Sequence, residues 1–181
     1  MHRRQFMAAA LGAIVAGAIG GCVSSSSISG RATDAAAWTA SRRFASVRFG
    51  KIAYVDRGSG PAALFLHGFP LSSFQWRGAF DRLADERRCV AADFLGLGFT
   101  EVAPGQSCAP SAQVEMLAAL LDTLSISSVD LIANDSGGAV AQLFVLRYPQ
   151  RVRTMLLTNC DVEPDSPPPA LKPVLDLSRE G

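Results

Sequence analysis

One short segment constrains this chain more than any other: Asn134-Asp135-Ser136-Gly137-Gly138, set between the apolar run Val129 to Ala133 and a second apolar stretch that continues to Tyr148. The first run reads as a buried strand, and the paired glycines after it let the chain reverse sharply into a helix. That helix is predicted over Gly137 to Tyr148, because Pro149 disfavours helical geometry in the residue before it. A strand that ends in so tight a turn needs neighbouring strands to hold it.

The neighbours are legible. Ala62 to Leu66, Cys89 to Ala92 and Thr154 to Thr158 are apolar runs of the kind buried on both faces of a sheet. Between them lie helical stretches: Ser73 to Leu83, with Phe74, Ala79, Phe80 and Leu83 near one face, and Ser111 to Leu124, with Val114, Leu117, Leu120 and Leu121. Ala45 to Arg48 and Ile52 to Asp56, around Gly50, predict an opening hairpin, and Gly58-Ser59-Gly60-Pro61 breaks the chain after it. The alternation points to an α/β fold with a largely parallel sheet and flanking helices; a mixed α+β arrangement is the alternative. With 49% hydrophobic residues and 17 Lys+Arg against 16 Asp+Glu, the chain is neither disordered in composition nor a basic nucleic-acid binder.

The N-terminus reads as an address. His2-Arg3-Arg4-Gln5-Phe6 precedes an apolar run, Met7 to Gly21, that is too short and too rich in Ala and Gly for a spanning helix. Arg3-Arg4 with Gln5-Phe6-Met7 resembles a twin-arginine export signal, a route for proteins already folded; an ordinary basic secretion signal is the alternative. Ile19-Gly20-Gly21-Cys22 resembles a lipobox in which Cys22 carries lipid, with Ser24 to Ser27 as a tether; otherwise Cys22 is a small buried residue. The expected division is a signal peptide over 1–21, a flexible linker over 22–40, the body of an α/β domain over 41–163, and a Pro-rich further segment over 164–181. An exported, cell-envelope protein held to a membrane through Cys22 is expected. The cysteines (Cys22, Cys89, Cys108, Cys160) and the two histidines (His2, His67) show no metal-ligand spacing, so neither metal nor cofactor is implied.

The turn at 134–138 has the form of a nucleophile elbow, in which the nucleophile adopts a strained backbone and small residues two before and two after it allow strand and helix to approach. Ala133 and Gly137 supply that spacing about Asp135; about Ser136 the flanking residues are Asn134, larger than the turn prefers, and Gly138. Asp135 is therefore the favoured nucleophile, with Ser136 as an esterase-type alternative. The bland reading makes Asp135 only a helix cap acting through Ala139 and Val140.

Together with His67-Gly68-Phe69-Pro70 and Asp93-Phe94-Leu95-Gly96-Leu97-Gly98, this turn makes the chain from about Arg43 to Asp165 resemble the α/β-hydrolase family, in the branch of haloalkane dehalogenases and epoxide hydrolases. The resemblance implies a small-molecule substrate attacked at saturated carbon by Asp135, a halide or alkoxide leaving, and an ester then hydrolysed by water. It implies backbone N–H donors at Phe69 and Ser136 for the oxyanion, an oxyanion loop shaped by His67, Gly68 and Pro70, and a catalytic histidine later in the chain than the nucleophile. Asp161 is the nearest candidate for the acid that orients that histidine, against the commoner reading of an exposed loop aspartate. Trp76 is expected to pack the first helix, and Asp93 to organise its turn by Asx-type bonds.

The chain departs from that branch at two positions: Ser136 stands where dehalogenases usually carry Trp, and Phe69 where their turn often carries Asn. Its tyrosines, Tyr54 and Tyr148, are not placed as the cap tyrosines of epoxide hydrolases are. By resemblance residues 164–181 begin a cap, while the rest of it, two further strands and the catalytic histidine are expected beyond Gly181, so that the 181-residue chain is expected to be an inactive piece of a hydrolase. A non-catalytic lipoprotein binding module is the alternative. The intact mass of the native polypeptide separates them: the hydrolase reading expects well above 19.1 kDa, whereas a mass near that of residues 22–181, with or without lipid, favours the binding module.

Overall fold

A computed structural model of the chain describes residues 32–160. The expectations placed on Arg3, Arg4, Cys22 and Asp161 lie outside these residues.

The opening hairpin pairs β1 (Arg43–Val47) with β2 (Gly50–Arg57), closing at Val47 opposite Gly50. Then come β3 (Ala62–Leu66), β4 (Arg88–Ala92), a two-residue β5 (Glu101–Val102), β6 (Val129–Asn134) and β7 (Val152–Thr158). They form one sheet in the order β1-β2-β4-β3-β6-β7, with β5 against β2. β3 pairs in parallel with both β4 and β6, and β6 in parallel with β7, so the interior of the sheet is parallel and the hairpin side antiparallel. Strand β5 carries no periodicity in its two residues, which is why the sequence does not announce it.

Alternation along β3 explains its unbroken apolar run. Leu64 and Leu66 join a core with Ile52, Leu117, Leu131 and Phe144, while Ala63 and Phe65 join a second cluster with Val55, Phe80 and Cys89. A strand covered on both faces has no position left for a polar residue. The helices α3 (Pro110–Thr123) and α4 (Ser136–Arg147) run close to their predicted spans, α3 opening on Pro110 at its first turn, where a missing N–H costs nothing. The helix predicted over 73–83 begins instead as a tighter 3₁₀ turn, Ser73–Trp76, before α2 (Arg77–Leu83). The N–H of Ser73 donates to Asp93 at 2.7 Å and pins that entry. Leu83, expected on the buried face, is exposed in the last turn.

The linker expected over 22–40 gives way to ordered structure by Thr33. Helix α1 (Ala35–Ala40) is capped by Asp34, whose side chain accepts the Ala37 N–H at 2.9 Å. Trp38 is only 1% exposed: its ring lies edge-on to Phe80 at 5.0 Å, and its Nε1–H donates to Ser73 Oγ at 3.4 Å. Thr33 donates its N–H and hydroxyl to Asp81, which also pairs with Arg57 at 3.1 Å. These bonds, the Thr33 hydroxyl foremost, hold the Asp81 carboxyl below its usual range. A Ser-, Ala- and Gly-rich composition hid one aromatic anchor.

Strand β7 is the outer strand of the described sheet, and Met155 and Leu156 on it are exposed. Its inner edge is held by Arg153 and Thr154, both bonded to Asp130 of β6.

If α1 is part of the core, Trp38→Ala costs about 3–5 kcal/mol in urea unfolding, the range for truncating a buried aromatic. A loss under about 1 kcal/mol, typical of a surface change, would detach α1 from the domain.

Candidate active site

Strand β6 delivers Asp135 to the end of the sheet in a conformation that few residues adopt, φ 53° and ψ −132°. A non-glycine residue held there stores about 1–3 kcal/mol of strain, and three bonds enforce it. The Asp135 N–H reaches the Thr158 carbonyl at the end of β7 (3.3 Å), its carbonyl accepts the Gly138 N–H (2.8 Å), and its own carboxylate accepts the Ser136 N–H (2.6 Å). Asp135 does stand at the N-cap of α4, but the N–H it accepts is that of Ser136, not those of Ala139 or Val140.

The loop after β3 closes over the same carboxylate. Phe69 donates its backbone N–H to Asp135 Oδ1 at 3.0 Å, so the N–H groups of Phe69 and Ser136 converge on one oxygen. Oδ2 accepts no hydrogen bond from the described residues, and Asp135 is solvent-exposed. The carboxylate is thus polarised by position: one oxygen held, the other presented. Two glycines make the approach possible. A Cβ on Gly68 would lie 2.6 Å from the Asp135 Cβ, and one on Gly137 would lie 2.6 Å from the His67 carbonyl oxygen.

His67 is fully buried, and both ring nitrogens are engaged. Nε2 accepts the Phe94 N–H at 3.1 Å, so the proton resides on Nδ1, which donates to the Gly68 carbonyl at 2.9 Å. The imidazole therefore clamps the loop after β3 to the loop after β4. The Phe69–Pro70 peptide within that loop is cis. Asp93, at the end of β4, is also buried; instead of a local Asx turn it accepts the N–H groups of Ser73 (2.7 Å) and Phe99 (2.8 Å). Trp76 packs on Phe65 at 5.4 Å, with its Nε1 buried and unpartnered.

Ser136 occupies a regular position in the first turn of α4. Its Oγ makes no hydrogen bond with the described residues, and the residue lines an open pocket of about 370 Å³ together with Phe69, Phe94, Leu97, Pro110 and Val140. That wall is apolar apart from Ser136, Gln113 and the Cys108 thiol. Cys89, by contrast, is buried in β4, and burial pushes its thiol up to about 11, out of reach of thiolate chemistry. No group of three or more His, Cys, Asp or Glu among the described residues is placed to hold a metal ion.

A polar chain unseen in the sequence runs beneath the carboxylate. Gly68 donates its N–H to Gln75 Oε1 (3.0 Å), Gln75 Nε2 donates to Asn134 Oδ1 (2.5 Å), and Asn134 Nδ2 donates to the Thr158 carbonyl (2.8 Å) and hydroxyl (3.2 Å). Its members lie up to 59 positions apart in each bond, a spacing with no local signature. Only the odd Asn134 beside the elbow hinted at it.

A family profile described as alpha/beta hydrolase fold matches residues 61–179. A haloalkane dehalogenase of Mesorhizobium japonicum is 42% identical over 108 residues, covering 56% of this chain and 33% of that protein. A cis-3-alkyl-4-alkyloxetan-2-one decarboxylase of Shewanella oneidensis is 29% identical over 121 residues, 65% of this chain and 38% of that protein. Among solved structures, a mutant epoxide hydrolase of Vigna radiata superposes with a TM-score of 0.61 at 33% identity, over 64% of this chain and 37% of that one. The chain thus spans well under half the length of each of these three relatives.

Burial holds the His67 imidazole below its ordinary pKa, outweighing the pulls of the Gly68 carbonyl and Asp93. The folded state then binds fewer protons than the unfolded chain, so the contribution is complete above the unfolded pKa of about 6.5 and is lost as pH falls toward the folded value. The urea midpoint is expected to fall between about pH 7 and pH 5. His67→Gln, which keeps a donor and an acceptor without titrating, is expected to flatten that slope; an unchanged slope would place its origin elsewhere.

Proposed function

The chain belongs to the α/β-hydrolase fold family, and from that premise we propose that its described residues form the nucleophile half of an exported hydrolase that attacks a small apolar electrophile with Asp135. One observation carries the reading: Asp135 sits strained at the elbow with Oδ1 bound by two backbone N–H groups and Oδ2 unbound. The chain is similar to haloalkane dehalogenases and epoxide hydrolases.

In this scheme Oδ2 attacks a saturated carbon, and the bond to the leaving atom breaks with its electron pair, releasing halide, or alkoxide that takes a proton from water. The product is an alkyl ester whose carbonyl oxygen is Oδ1. Water adding to Cγ puts negative charge on that oxygen, where the Phe69 and Ser136 N–H groups already point. Preorganised donors at a developing oxyanion are typically each worth about 2.7–4 kcal/mol. The second step also needs a base to take a proton from water. Among the described residues His67 does not serve, because both its nitrogens are committed to the backbone. The described residues therefore make the ester and do not release it.

Two positions tune the substrate. Ser136 and Phe69 provide no indole or carboxamide N–H for a halide, which favours an oxygen leaving group such as a strained ring ether. The apolar wall beside Ser136 fits an alkyl or aryl substituent. Ser136 as nucleophile is the second reading, favoured by its free Oγ and opposed by its unstrained position and the lack of an adjacent base. We propose in addition that residues 1–21 direct export, with lipid on Cys22, and that Asp161 orients a histidine later in the chain.

Styrene oxide incubated with the protein is expected to leave one covalent equivalent on the peptide that carries Asp135, stable for hours, abolished by Asp135→Asn and kept in Ser136→Ala. An adduct lost in Ser136→Ala but kept in Asp135→Asn would transfer the nucleophile to Ser136. Repeated turnover by the 181-residue chain would overturn the reading that the ester is made and not released.

A further inference from the structure

We infer that Gln75 and Asn134 are positioning residues that aim the Phe69 N–H at the nucleophile, through a hydrogen-bonded relay from the end of β7 to the loop after β3. The inference rests on the reading of Asp135 as nucleophile.

The relay has only one satisfying arrangement. At one end stands the Gly68 N–H, which can only donate; at the other stands the Thr158 carbonyl, which can only accept. Two primary amides placed between them must alternate acceptor and donor, so Gln75 turns its oxygen to Gly68 and its nitrogen to Asn134, and Asn134 turns its oxygen to Gln75 and its nitrogen to Thr158. The orientation of both amides follows from the fixed ends rather than from the side chains themselves. Thr158 is anchored in turn by its hydroxyl, which donates to the Ala133 carbonyl at 3.2 Å.

What the relay holds is the His67–Gly68 peptide plane. It adjoins the Gly68–Phe69 plane, which meets the carboxylate and whose carbonyl is held by His67 Nδ1–H and the Leu71 N–H, each at 2.9 Å. Gly68 and Phe69 present successive N–H groups: the first is held by Gln75, the second points at Asp135 Oδ1. Gly68 has no side chain to restrict its own torsions, so the bond to Gln75 fixes its N–H side as the bonds from His67 and Leu71 fix its carbonyl side. Asn134 is the residue directly before the nucleophile. The same side chain that registers β6 against β7 thereby registers the oxyanion donor against the carboxylate.

Neither Gln75 nor Asn134 reaches the Asp135 carboxylate by any hydrogen bond, so their effect is on aim. The Phe69 N–H fixes the rotation of the Asp135 carboxylate that leaves Oδ2 presented, so misplacing it slows ester formation through lost orientation of the nucleophile without unfolding the sheet, and roughly 10- to 100-fold is the expected loss of rate.

The test uses the 181-residue chain, styrene oxide as the electrophile, and two readouts: the rate of the covalent adduct by intact mass, and amide hydrogen exchange at Phe69. Gln75→Leu is expected to slow the adduct roughly 10- to 100-fold and to speed Phe69 exchange about 10-fold, while Leu64 and Leu131 in the core remain protected. Gln75→Glu supplies a signature that a merely structural role would not move. Protonated, the glutamic acid offers one acceptor and one donor as glutamine does; ionised, it offers only acceptors and opposes Asn134 Oδ1. Its adduct rate, relative to the parent chain at each pH, should approach parity at acid pH and fall as pH rises. Unchanged Phe69 exchange in Gln75→Leu, or a flat relative profile in Gln75→Glu, would overturn the relay. If the parent chain forms no adduct at all, the Asp135 reading fails, and Phe69 exchange relative to the parent chain at the same pH still decides the relay: a faster ratio in Gln75→Leu, and a ratio that climbs with pH in Gln75→Glu, supports it, and ratios that stay at one overturn it.

Discussion

There is no room for a Cβ between the loop after β3 and the turn after β6, and most of the candidate site follows from that restriction. Gly68 faces the Asp135 side chain and Gly137 faces the His67 and Leu66 carbonyls, each at distances that a methyl group would violate. Because β3 and β6 are parallel neighbours, their C-terminal ends emerge side by side, and what leaves them must share one small volume. The close approach brings the Phe69 N–H and the Ser136 N–H to one oxygen. Charge on that oxygen is met by dipoles already in place, which in the proposed reaction removes the cost of reorganising them.

The polar residues around this point divide into those that are fully paired and one that is not. His67 and Asp93 are the buried titratable side chains here, and each is consumed by backbone N–H or carbonyl groups of the loops after β3 and β4. A buried polar group that is fully paired rigidifies what it touches. Asp135 is the exception in the cluster, exposed and only half satisfied. The contrast between a histidine with no free nitrogen and a carboxylate with a free oxygen supports the proposed roles without reference to any relative.

Much of this was legible in sequence because it is local. The strand runs at 62–66, 89–92 and 129–133 carry their own periodicity, and the small residues around Asp135 mark the elbow within five positions. What escaped depends on contacts between distant segments. Trp38 looked like part of a polar tether, yet its ring fills a gap between Phe74 and Phe80. Gln75 looked like one more residue of a helix, yet its amide spans from Gly68 to Asn134. Asn134 was read as an obstacle to one nucleophile assignment, when its length is what reaches Thr158. A side chain's partner is a property of the fold, and composition is silent about it.

The sheet order also sets a timetable. The β1–β2 hairpin joins neighbouring residues and can close as soon as it leaves the ribosome, whereas Phe69 and Asp135 are 66 positions apart. In a chain made from its N-terminus, the loop of His67 to Pro70 therefore waits through the synthesis of α2, β4 and α3 before its partner exists. The Asp135 carboxylate can meet the Phe69 and Ser136 N–H groups only once β6 has been made, and Asn134 can reach Thr158 only once β7 has followed.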